Sequence, residues 1–448
     1  MRMPRITAID RLLLNVPFTP RCEEWNAPLV HQWHIPEIVR VRTEDPEVVG
    51  YGESMYHYTS GNARPEAMAR LIGENPAGWL NEDGIGLDLQ MALYDVVGKA
   101  LELPVYRLLP LPKVREWCPL GWWNIDMPPE VLAEEAADAY AQGYRAHKIK
   151  ARPWFDVYEQ VRHVSAATGP SYKIDIDWND MLLSAGNAAP VLQELDTFEK
   201  VALYEGPIPQ RDIEGYAELR RKVAKPLVTH FGLPPFPTAL QNRMCDGFVV
   251  FGGVQEVIRQ GMLCATFEKP FFLQQVGLGL TTAMVAHLGA VLIQARWPAI
   301  TCMNNYADDL LVEPLTIRHG AVRVPEAPGL GVTVDEEALE KYRVDPDSTG
   351  GYRLPEPRHL LTVRWADGKQ VHYAHANTPK PAGTAPYSHL AYGAGSHAEA
   401  GRQLWEDFLA GNHPVQERGV TLIVRKDDGT DEWASLYARA ERGPVSEG

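Results

Sequence analysis

From about residue 113 onward, short apolar segments alternate with amphipathic segments of helical periodicity. The apolar segments recur roughly every 20–30 residues and are too short for helices, which predicts β-strands separated by helices. The predicted strands are Glu116–Gly121, Ala146–Lys150, Tyr172–Asp177, Val201–Glu205, Pro226–His230, Phe248–Phe251, Phe271–Gln275 and Ala299–Met303. Eight strands with helices between them favour a (β/α)₈-type barrel over a doubly wound sheet, whose strand count is usually lower.

Different patterns flank this alternating region. Residues 1–60 predict two strands around an Asp45-Pro46 turn, and Leu87–Leu101 has the apolar spacing of a helix. Beyond Arg353, the segments HLLTVRWADGKQVHYA and GVTLIVRKDDGTDEWASLYARA each predict a hairpin with Asp-Gly at its tip. Between them lie the Pro-rich linker ANTPKPAGTAPYS and a candidate capping box at Ser396, so we expect a small α+β unit here.

Charge and cysteine content exclude several classes of protein. The chain has 43 Lys and Arg against 58 Asp and Glu, a net charge of −15. Binding to nucleic acid or to an anionic membrane needs a basic surface, so neither is expected as a partner, whereas a small anion needs only a local positive pocket. Five scattered cysteines without a C-x-x-C pair, no signal peptide and no long apolar run predict a cytoplasmic protein.

Polar residues lie at four successive strand ends, where barrel enzymes place their chemistry. These residues are Lys148 and Lys150, then Asp177 with Asn179, then Glu205, then His230. Successive strand residues point to opposite faces, so Lys148 and Lys150 project to the same side and repel each other unless an anion is near. Together the four strand ends predict a divalent cation held opposite two lysines.

Each of these residues also has a purely structural explanation. A strand-end lysine is commonly solvated, Asp177 can cap the following turn, and Asp175 is an equally placed alternative to it. Glu205 can be a loop charge, and a lone histidine such as His230 is more often a packed, hydrogen-bonded residue than a ligand. The functional interpretation depends on their coincidence at one rim.

In this order and spacing, several motifs resemble the enolase superfamily, in its mandelate racemase and muconate lactonizing branch. The motifs are VVGYGES, DLQMALYDVVGKALELPVYRLL, the K-x-K of HKIKA, DWN, YEGPIP, the pair Gly252-Gly253, and VEPLTIRHGAVRVPEAPGLGV. They cover roughly residues 1–345.

The resemblance implies an α/β fold: a modified TIM barrel, (β/α)₇β, with an α+β capping domain. The expected organisation is a capping domain over 1–112, the barrel over 113–310, a return segment packing on the cap over 311–354, and an extra α+β domain over 355–448. Loops around Phe18–Asn26 and Glu53–Thr59 are the expected lids, and such proteins tend to form homo-oligomers.

The resemblance also implies roles for the strand-end residues. Asp177 and Glu205 are expected to bind Mg²⁺ with His230 at the third ligand position, and Lys148 and Lys150 are expected to flank a small carboxylate substrate. The metal and the neighbouring lysine would lower the pKa of the catalytic lysine. Candidate substrate-binding residues are Asn179, Gln274, Gln275, Trp123 and Asn124; the two in the GWWN segment can equally form a buried layer.

Three departures from the family pattern bear on metal and reaction. His230 stands where an oxygen ligand is usual, which favours another divalent metal as an alternative to Mg²⁺. The seventh strand ends in Gln274-Gln275 in place of a histidine, and the eighth reads TCMNNY where an acid is common. With an acid/base on one face only, we predict a hydro-lyase of the acid-sugar dehydratase type that forms an enediolate.

Two alternatives remain open from the sequence. A catalytically silent enolase-like protein used for binding or assembly would also show a thinned catalytic set and an added domain. A racemase or epimerase of a hydroxy acid would need His147, His287 or a residue of the cap to serve the second face.

Overall fold

The computed structural model describes residues 2–29, 31–56, 62–346, 358–376 and 402–447. The capping box at Ser396, nearly all of the Pro-rich linker and the last three residues of the predicted loop Glu53–Thr59 lie outside the described residues. Among the helices of the described residues, none is long and apolar enough to cross a membrane.

The N-terminal part of the chain forms an antiparallel sheet. Its strands are β1 (Ile6–Leu14), β2 (Pro36–Thr43) and β3 (Val49–Met55), and helix α1 (Pro20–Leu29) connects β1 to β2. The two predicted strands around the Asp45-Pro46 turn are therefore confirmed as β2 and β3.

Helix α3 (Leu87–Leu101), which follows the short helix α2 (Pro65–Leu71), packs directly on strand β3. The close approach needs glycine on the strand: a Cβ atom added to Gly52 would lie 1.8 Å from the carbonyl oxygen of Asp88. The helix buries most of its residues, so sheet and helix share one apolar core.

Seven parallel strands form the central sheet, in sequence order across it. After β4 (Trp117–Pro119), these strands are β5 (Trp122–Asn124), β6 (Ala146–Lys150), β7 (Lys173–Asp177), β8 (Val201–Glu205), β9 (Leu227–His230), β10 (Gly247–Val250) and β11 (Phe271–Leu273). Single β-bridges from Leu120 to Ala299 and from Gln274 to Ile300 join the two ends of the sheet through one more segment. The fold is the modified TIM barrel with a separate N-terminal β domain that the sequence predicts.

The first and eighth predicted strands need correction. The first barrel strand is β5, because β4 pairs instead with a later hairpin strand, β13 (Ala321–Arg323). The eighth segment, predicted over Ala299–Met303, makes only isolated bridges. Pro298 precedes it, and Cys302 adopts a left-handed conformation with φ of 64°, so few residues remain extended.

Helices surround the barrel. They are α4 (Pro129–Ala141), α5 (Val157–Ala167), α6 (Ala185–Leu195), α7 (Ile213–Lys222), α8 (Phe236–Gln241), α9 (Val254–Thr266) and α10 (Gly279–Val291). The side chains of Asp156, Ser184 and Asp212 accept backbone N–H groups at the starts of α5, α6 and α7, which fixes where these helices begin.

No helix of the described residues follows the eighth segment on the outside of the barrel. The chain runs through β12 (Ile317–Arg318), β13 (Ala321–Arg323) and α11 (Glu336–Tyr342) to β14 (Arg343–Val344), which pairs with β1 at the edge of the N-terminal sheet. A cavity of about 1050 Å³ lies beside α4, lined among others by Arg21, Trp122 and Leu315.

The C-terminal residues form a four-stranded antiparallel sheet with two helices. The elements are β15 (Arg358–Arg364), β16 (Gln370–Ala376), α12 (Arg402–Leu409), β17 (Thr421–Lys426), α13 (Asp431–Ala440) and β18 (Val445–Glu447). The first predicted hairpin is confirmed as β15 and β16. The second is wrong: β17 pairs with β15, and the Thr430 hydroxyl accepts the N–H of Trp433 and starts α13.

Candidate active site

The carboxyl ends of β6, β7 and β8 bring four charged side chains into contact inside the barrel. Lys150 is opposite Asp177 and Asp177 is opposite Glu205 in neighbouring strands. The Nζ of Lys148 lies 2.6 Å from Glu205 Oε2 and 3.1 Å from Asp177 Oδ2, and the Nζ of Lys150 lies 2.8 Å from the same Asp177 oxygen. The structure thus places the predicted strand-end lysines and carboxylates in one cluster.

All four groups are buried, and their charges control one another. Burial works to lower the pKa of Lys148, but the carboxylates of Glu205 and Asp177 outweigh it and raise that pKa above its ordinary value. Burial works to raise the pKa of Asp177, but Lys150, Lys148 and Arg152 hold it well below its usual range. Two carboxylates contact the ammonium group of Lys148 and raise its pKa, whereas the lowered lysine pKa was expected beside a bound metal.

The carboxyl group of Glu205 behaves differently from that of Asp177. Burial and the nearby charge of Asp177 raise the pKa of Glu205 to about 7, although Lys148 and Lys150 oppose the rise. Asp175, which lies two residues before Asp177 on β7, is also buried, and burial raises its pKa to about 7 against the effect of Lys148. Asp177 therefore holds its negative charge more firmly than Glu205 does.

Two of the predicted substrate-binding residues, Asn179 and Gln274, contact the lysines of the cluster. The Oδ1 of Asn179 accepts hydrogen bonds from Lys150 at 2.7 Å and from the guanidinium of Arg152 at 2.7 Å. Gln274 Oε1 accepts a hydrogen bond from Lys148 at 2.7 Å. Gln275 donates to the carbonyl of Gly252 at 2.9 Å, so its side chain supports the neighbouring strand end.

The remaining two, Trp123 and Asn124, divide between the two faces of β5. Trp123 lies inside the barrel and packs against Trp33 of the N-terminal domain, with ring centroids 5.0 Å apart. Asn124 is not a substrate contact: its side chain faces outward, donates to Glu135 of α4 at 3.0 Å and accepts from Trp122 at 3.1 Å. Asn124 was expected after a first strand ending at Gly121, whereas it belongs to β5 and lies on the face opposite to that of Trp123.

Two residues at the site were missed in the sequence. Arg152, which is fully buried, follows Lys150 by two positions, beyond the end of the strand. Asp180 is half-buried beside Gly206, and burial of its carboxyl group together with the charge of Asp177 raises its pKa to about 8. Their position immediately after predicted strand ends was the available signal, but a strand-end rule that stops at the last strand residue does not reach them.

The predicted metal ligands meet around a lysine. Asp177 and Glu205 share the ammonium of Lys148, and His230 Nε2 lies 3.6 Å from Glu205 Oε1. In the part of the chain that the structure describes, no three His, Cys, Asp or Glu side chains are arranged as a ready-made metal site. The donor set nevertheless fits a divalent cation in type, because Lys148 already stands as a cation between two carboxylates, and an imidazole is adjacent.

The side chain of Gln210 orients His230. Its Oε1 accepts the backbone N–H of His230 at 2.7 Å and lies 3.2 Å from the ring Nδ1. Gln210 Nε2 lies 3.1 Å from the same Nδ1, so the amide occupies the Nδ1 side of the ring and leaves Nε2 facing Glu205.

Comparison with known proteins agrees with this geometry. A family model described as "Enolase C-terminal domain-like" matches residues 131–338, which contain all four charged residues of the cluster. This match covers just under half of the chain and makes it similar to the enolase superfamily.

Curated relatives of the chain include dehydratases and racemases. It is 28% identical to D-gluconate dehydratase of Thermoproteus tenax over 284 residues, which are 58% of this chain and 56% of that protein. It is 23% identical to N-succinyl-L-Arg/Lys racemase of Bacillus cereus over 346 residues, 70% of this chain and 92% of that protein. The chain thus spans just over half the length of the first of these relatives.

Solved structures of the superfamily share the fold of this chain. Muconate cycloisomerase from Pseudomonas fluorescens matches with a TM-score of 0.62 at 21% identity, covering 77% of this chain and 100% of that chain. An isomerase from Streptomyces coelicolor matches with a TM-score of 0.58 at 25% identity, covering 76% of this chain and 99% of that one. About a quarter of the chain therefore has no counterpart in those two structures.

The two histidines considered as an acid/base for the opposite face of the substrate do not reach the site. His147 faces outward from β6, lies 2.8 Å from Asn124 Oδ1, and burial lowers its pKa to about 3. His287 lies inside α10, 3.1 Å from the carbonyl oxygen of Leu330, and burial lowers its pKa to about 4. The prediction that either residue serves the opposite face of the substrate is therefore wrong.

The predicted lid loop Phe18–Asn26 is largely helical. It contains most of α1, in which Arg21 pairs with Glu135 of α4 at 2.7 Å and Trp25 packs edge-on against Phe155, with centroids 5.9 Å apart. These contacts fix α1 to the barrel beside the loop that follows β6.

The other predicted lid begins inside a strand. Glu53 belongs to β3 and is fully buried, and its carboxylate accepts the backbone N–H groups of Leu278 and, at 3.0 Å, of Thr281 at the start of α10. A carboxylate at a helix N-terminus is favourable, so Glu53 links the N-terminal sheet to the barrel. Burial nevertheless raises its pKa to about 7 from 4.5.

Replacing Glu53 by Gln should make the free energy of unfolding of the protein less dependent on pH. Because the folded-state pKa of Glu53 is raised, its contribution to stability is present below about pH 4.5 and is lost as the pH rises to about 7. Over that interval, the free energy of unfolding of the wild type should fall by about 3 kcal/mol relative to Glu53→Gln. Chemical denaturation at several pH values measures this difference, and exposed Glu47→Gln is the control. Parallel pH curves for wild type and Glu53→Gln would contradict the prediction.

Proposed function

We propose that this chain is a hydro-lyase that dehydrates an acid sugar by removing the proton next to its carboxylate. The observation that carries the proposal is the cluster in which Lys148 and Lys150 contact Asp177 and Glu205 at one rim of the barrel. Such a cluster offers cations to a substrate carboxylate and a lysine amine to its α-proton. The dehydratases among the curated relatives support the choice of reaction.

The two lysines take different roles in this proposal. Lys148, whose pKa is raised, stays an ammonium group and binds the substrate carboxylate as it becomes an enediolate. Lys150, as the neutral amine, accepts the α-proton. The electron pair of the broken C–H bond then forms the double bond as the β-hydroxyl group leaves, and Lys150 returns its proton to the leaving hydroxide as water. The enol product becomes a 2-keto-3-deoxy acid.

The amides at the seventh strand end favour elimination over racemisation. Gln274 and Gln275 cannot exchange protons at neutral pH, and His147 and His287 face away from the site. Racemisation needs an acid/base on each face of the substrate, whereas elimination of water is possible from one face.

We further propose that Asp177, Glu205 and His230 hold a divalent cation when substrate is bound. The cation would neutralise the two carboxylates and stabilise negative charge on the substrate oxygens. Lys148 must then leave its position between Asp177 and Glu205.

We also propose a cytoplasmic location for this protein, since all five cysteines are buried free thiols.

Removing the competing ammonium should strengthen metal binding. We expect Lys148→Met to bind Mn²⁺ about tenfold more tightly than the wild type, which corresponds to about 1.4 kcal/mol. Lys150→Met, which leaves Lys148 in place, should change the affinity much less. Isothermal titration calorimetry with Mn²⁺ alone measures both, and His230→Ala should weaken binding in each background. Equal affinities in all of these proteins would remove this cluster as the metal site.

A panel of aldonic and aldaric acids tests the reaction. Each acid is incubated with the protein and Mg²⁺ or Mn²⁺, and 2-keto-3-deoxy acid is followed by its semicarbazone absorbance. At least one acid should give product that Lys150→Met does not form. Exchange of the α-hydrogen with solvent deuterium without product would replace the dehydratase by an epimerase. No product and no exchange across the panel would refute both.

A further inference from the structure

We propose that the C-terminal domain, residues 358–376 and 402–447, is part of the active site, because its Trp405 and Gln416 hold Arg152 in the position that fixes Asn179 and Lys150. The established features of the site lie in the barrel. This proposal adds a positioning module from outside it.

Helix α12 of the C-terminal domain packs on the loop that follows β6. The guanidinium of Arg152 lies over the ring of Trp405, 5.0 Å from its centroid. Trp154 packs edge-on against Trp405 and Phe408, with ring centroids 6.2 and 5.4 Å apart. Trp154 and Trp405 are both fully buried or nearly so, which makes this an apolar contact rather than a surface touch.

Hydrogen bonds to the backbone of the same loop connect it to the C-terminal domain. Gln416 donates from Nε2 to the carbonyl oxygens of Arg152 at 3.0 Å and of Phe155 at 3.3 Å. The N–H of Asp156 donates to the carbonyl of Val420 at 3.2 Å. The C-terminal domain therefore holds the backbone of residues 152–156 as well as their side chains.

On its inner side, Arg152 contacts the catalytic cluster. Its guanidinium donates to Asn179 Oδ1 at 2.7 Å and to the carbonyl of Asp177 at 3.3 Å. Lys150 donates to the same Asn179 oxygen at 2.7 Å. Asn179 has a left-handed backbone with φ of 43°, a conformation that needs such contacts to persist. A continuous series of contacts thus runs from Trp405 through Arg152 and Asn179 to Lys150.

The tryptophan is what makes the buried position of Arg152 stable. A guanidinium that is 0% exposed loses its water and needs hydrogen-bond acceptors and an aromatic face in exchange. The barrel supplies the acceptors, and Trp405 supplies the face. Without Trp405, Arg152 would be open to water on its outer side, and its hold on Asn179 would weaken.

Hydrogen exchange of the full-length protein tests this inference without a substrate. In Trp405→Leu, amides of residues 177–182 should exchange about tenfold faster than in the wild type, although Trp405 does not contact them. Arg152→Met, which leaves the C-terminal domain intact, should give the same change, and the double variant should give no more than either. Trp405→Phe should restore slow exchange.

The matched control is Trp433→Leu, the same substitution in the same domain. Trp433 is buried in the core of that domain against Leu360 and Tyr437. It should leave the exchange of residues 177–182 unchanged. Wild-type exchange in both Trp405→Leu and Arg152→Met, or an equal acceleration in Trp433→Leu, would overturn the proposal.

A kinetic measurement rests on the proposed function and extends the test. With an acid that the wild type turns over, Trp405→Leu should lower kcat about tenfold or more with a smaller change in KM, since a misplaced base slows the chemistry. Trp433→Leu should keep the wild-type kcat, and an unchanged kcat in Trp405→Leu would count against the proposal. If no acid is turned over, the proposed function fails while hydrogen exchange still decides this inference.

Discussion

Replacing Lys150 by Met should lower turnover of the best acid in the panel by about 10³-fold, the range expected for loss of a general base. Lys150 is the less enclosed lysine of the pair, and its Nζ contacts Asp177 and Asn179. The fold should persist, because Asp177 keeps its contact with Lys148 at 3.1 Å. The measurement is kcat from initial rates of keto-acid formation.

The arginine variant separates base catalysis from charge. Lys150→Arg retains a cation that can pair with Asp177, but a guanidinium does not give up its proton at usable pH. It should therefore be as inactive as Lys150→Met while matching the wild type in thermal stability. Substantial activity in Lys150→Arg would show that the residue acts only as a positive charge.

Asp177→Asn should destabilise the protein strongly, lowering the free energy of unfolding by about 3–5 kcal/mol, the usual cost of leaving a buried charge without its partner. Asp177 is the carboxylate that contacts both lysines, and its backbone carbonyl also accepts from Arg152. Its amide replacement leaves the buried cations to share Glu205. The effect should be measured by denaturant unfolding in the presence of a chelator, so that metal does not contribute.

The same substitution one layer deeper provides the control. Asp175 is equally buried, but burial raises its pKa to about 7, so at pH 6 it is already largely uncharged. Asp175→Asn should therefore change the free energy of unfolding much less at that pH. Similar losses in both variants would mean that the ion-pair cluster does not stabilise the fold.

The alternation of lysines with apolar residues was enough to predict the core of the site. In HKIKA, period two places Lys148 and Lys150 on one face, and the carboxyl ends of parallel strands meet at one rim. The contact of both lysines with Asp177 follows from these two rules alone. Barrel strands bounded by helices were predicted well for the same reason, since their spacing is a property of the local sequence.

Other features depended on information that is not local. Asn124 was predicted as a pocket residue after a strand ending at Gly121, because the sequence of β4 gives no sign that it pairs with β13 and leaves the barrel position to β5. The hairpin predicted around Asp428 failed because Thr430 offers a helix cap where a turn was expected. Arg152 was missed because its burial is created by Trp405, more than two hundred residues later in the chain.

Strand β14 completes the N-terminal sheet before the C-terminal domain starts. It pairs with β1 through Leu13–Val344 and Leu14–Arg343, and the first strand of the C-terminal sheet begins at Arg358. Coding sequence joined between those points lengthens the polypeptide without removing a strand partner from the older scaffold. Gene fusion at this boundary is therefore a low-cost route to a new module, and the contacts around Arg152 are what later selection has to build.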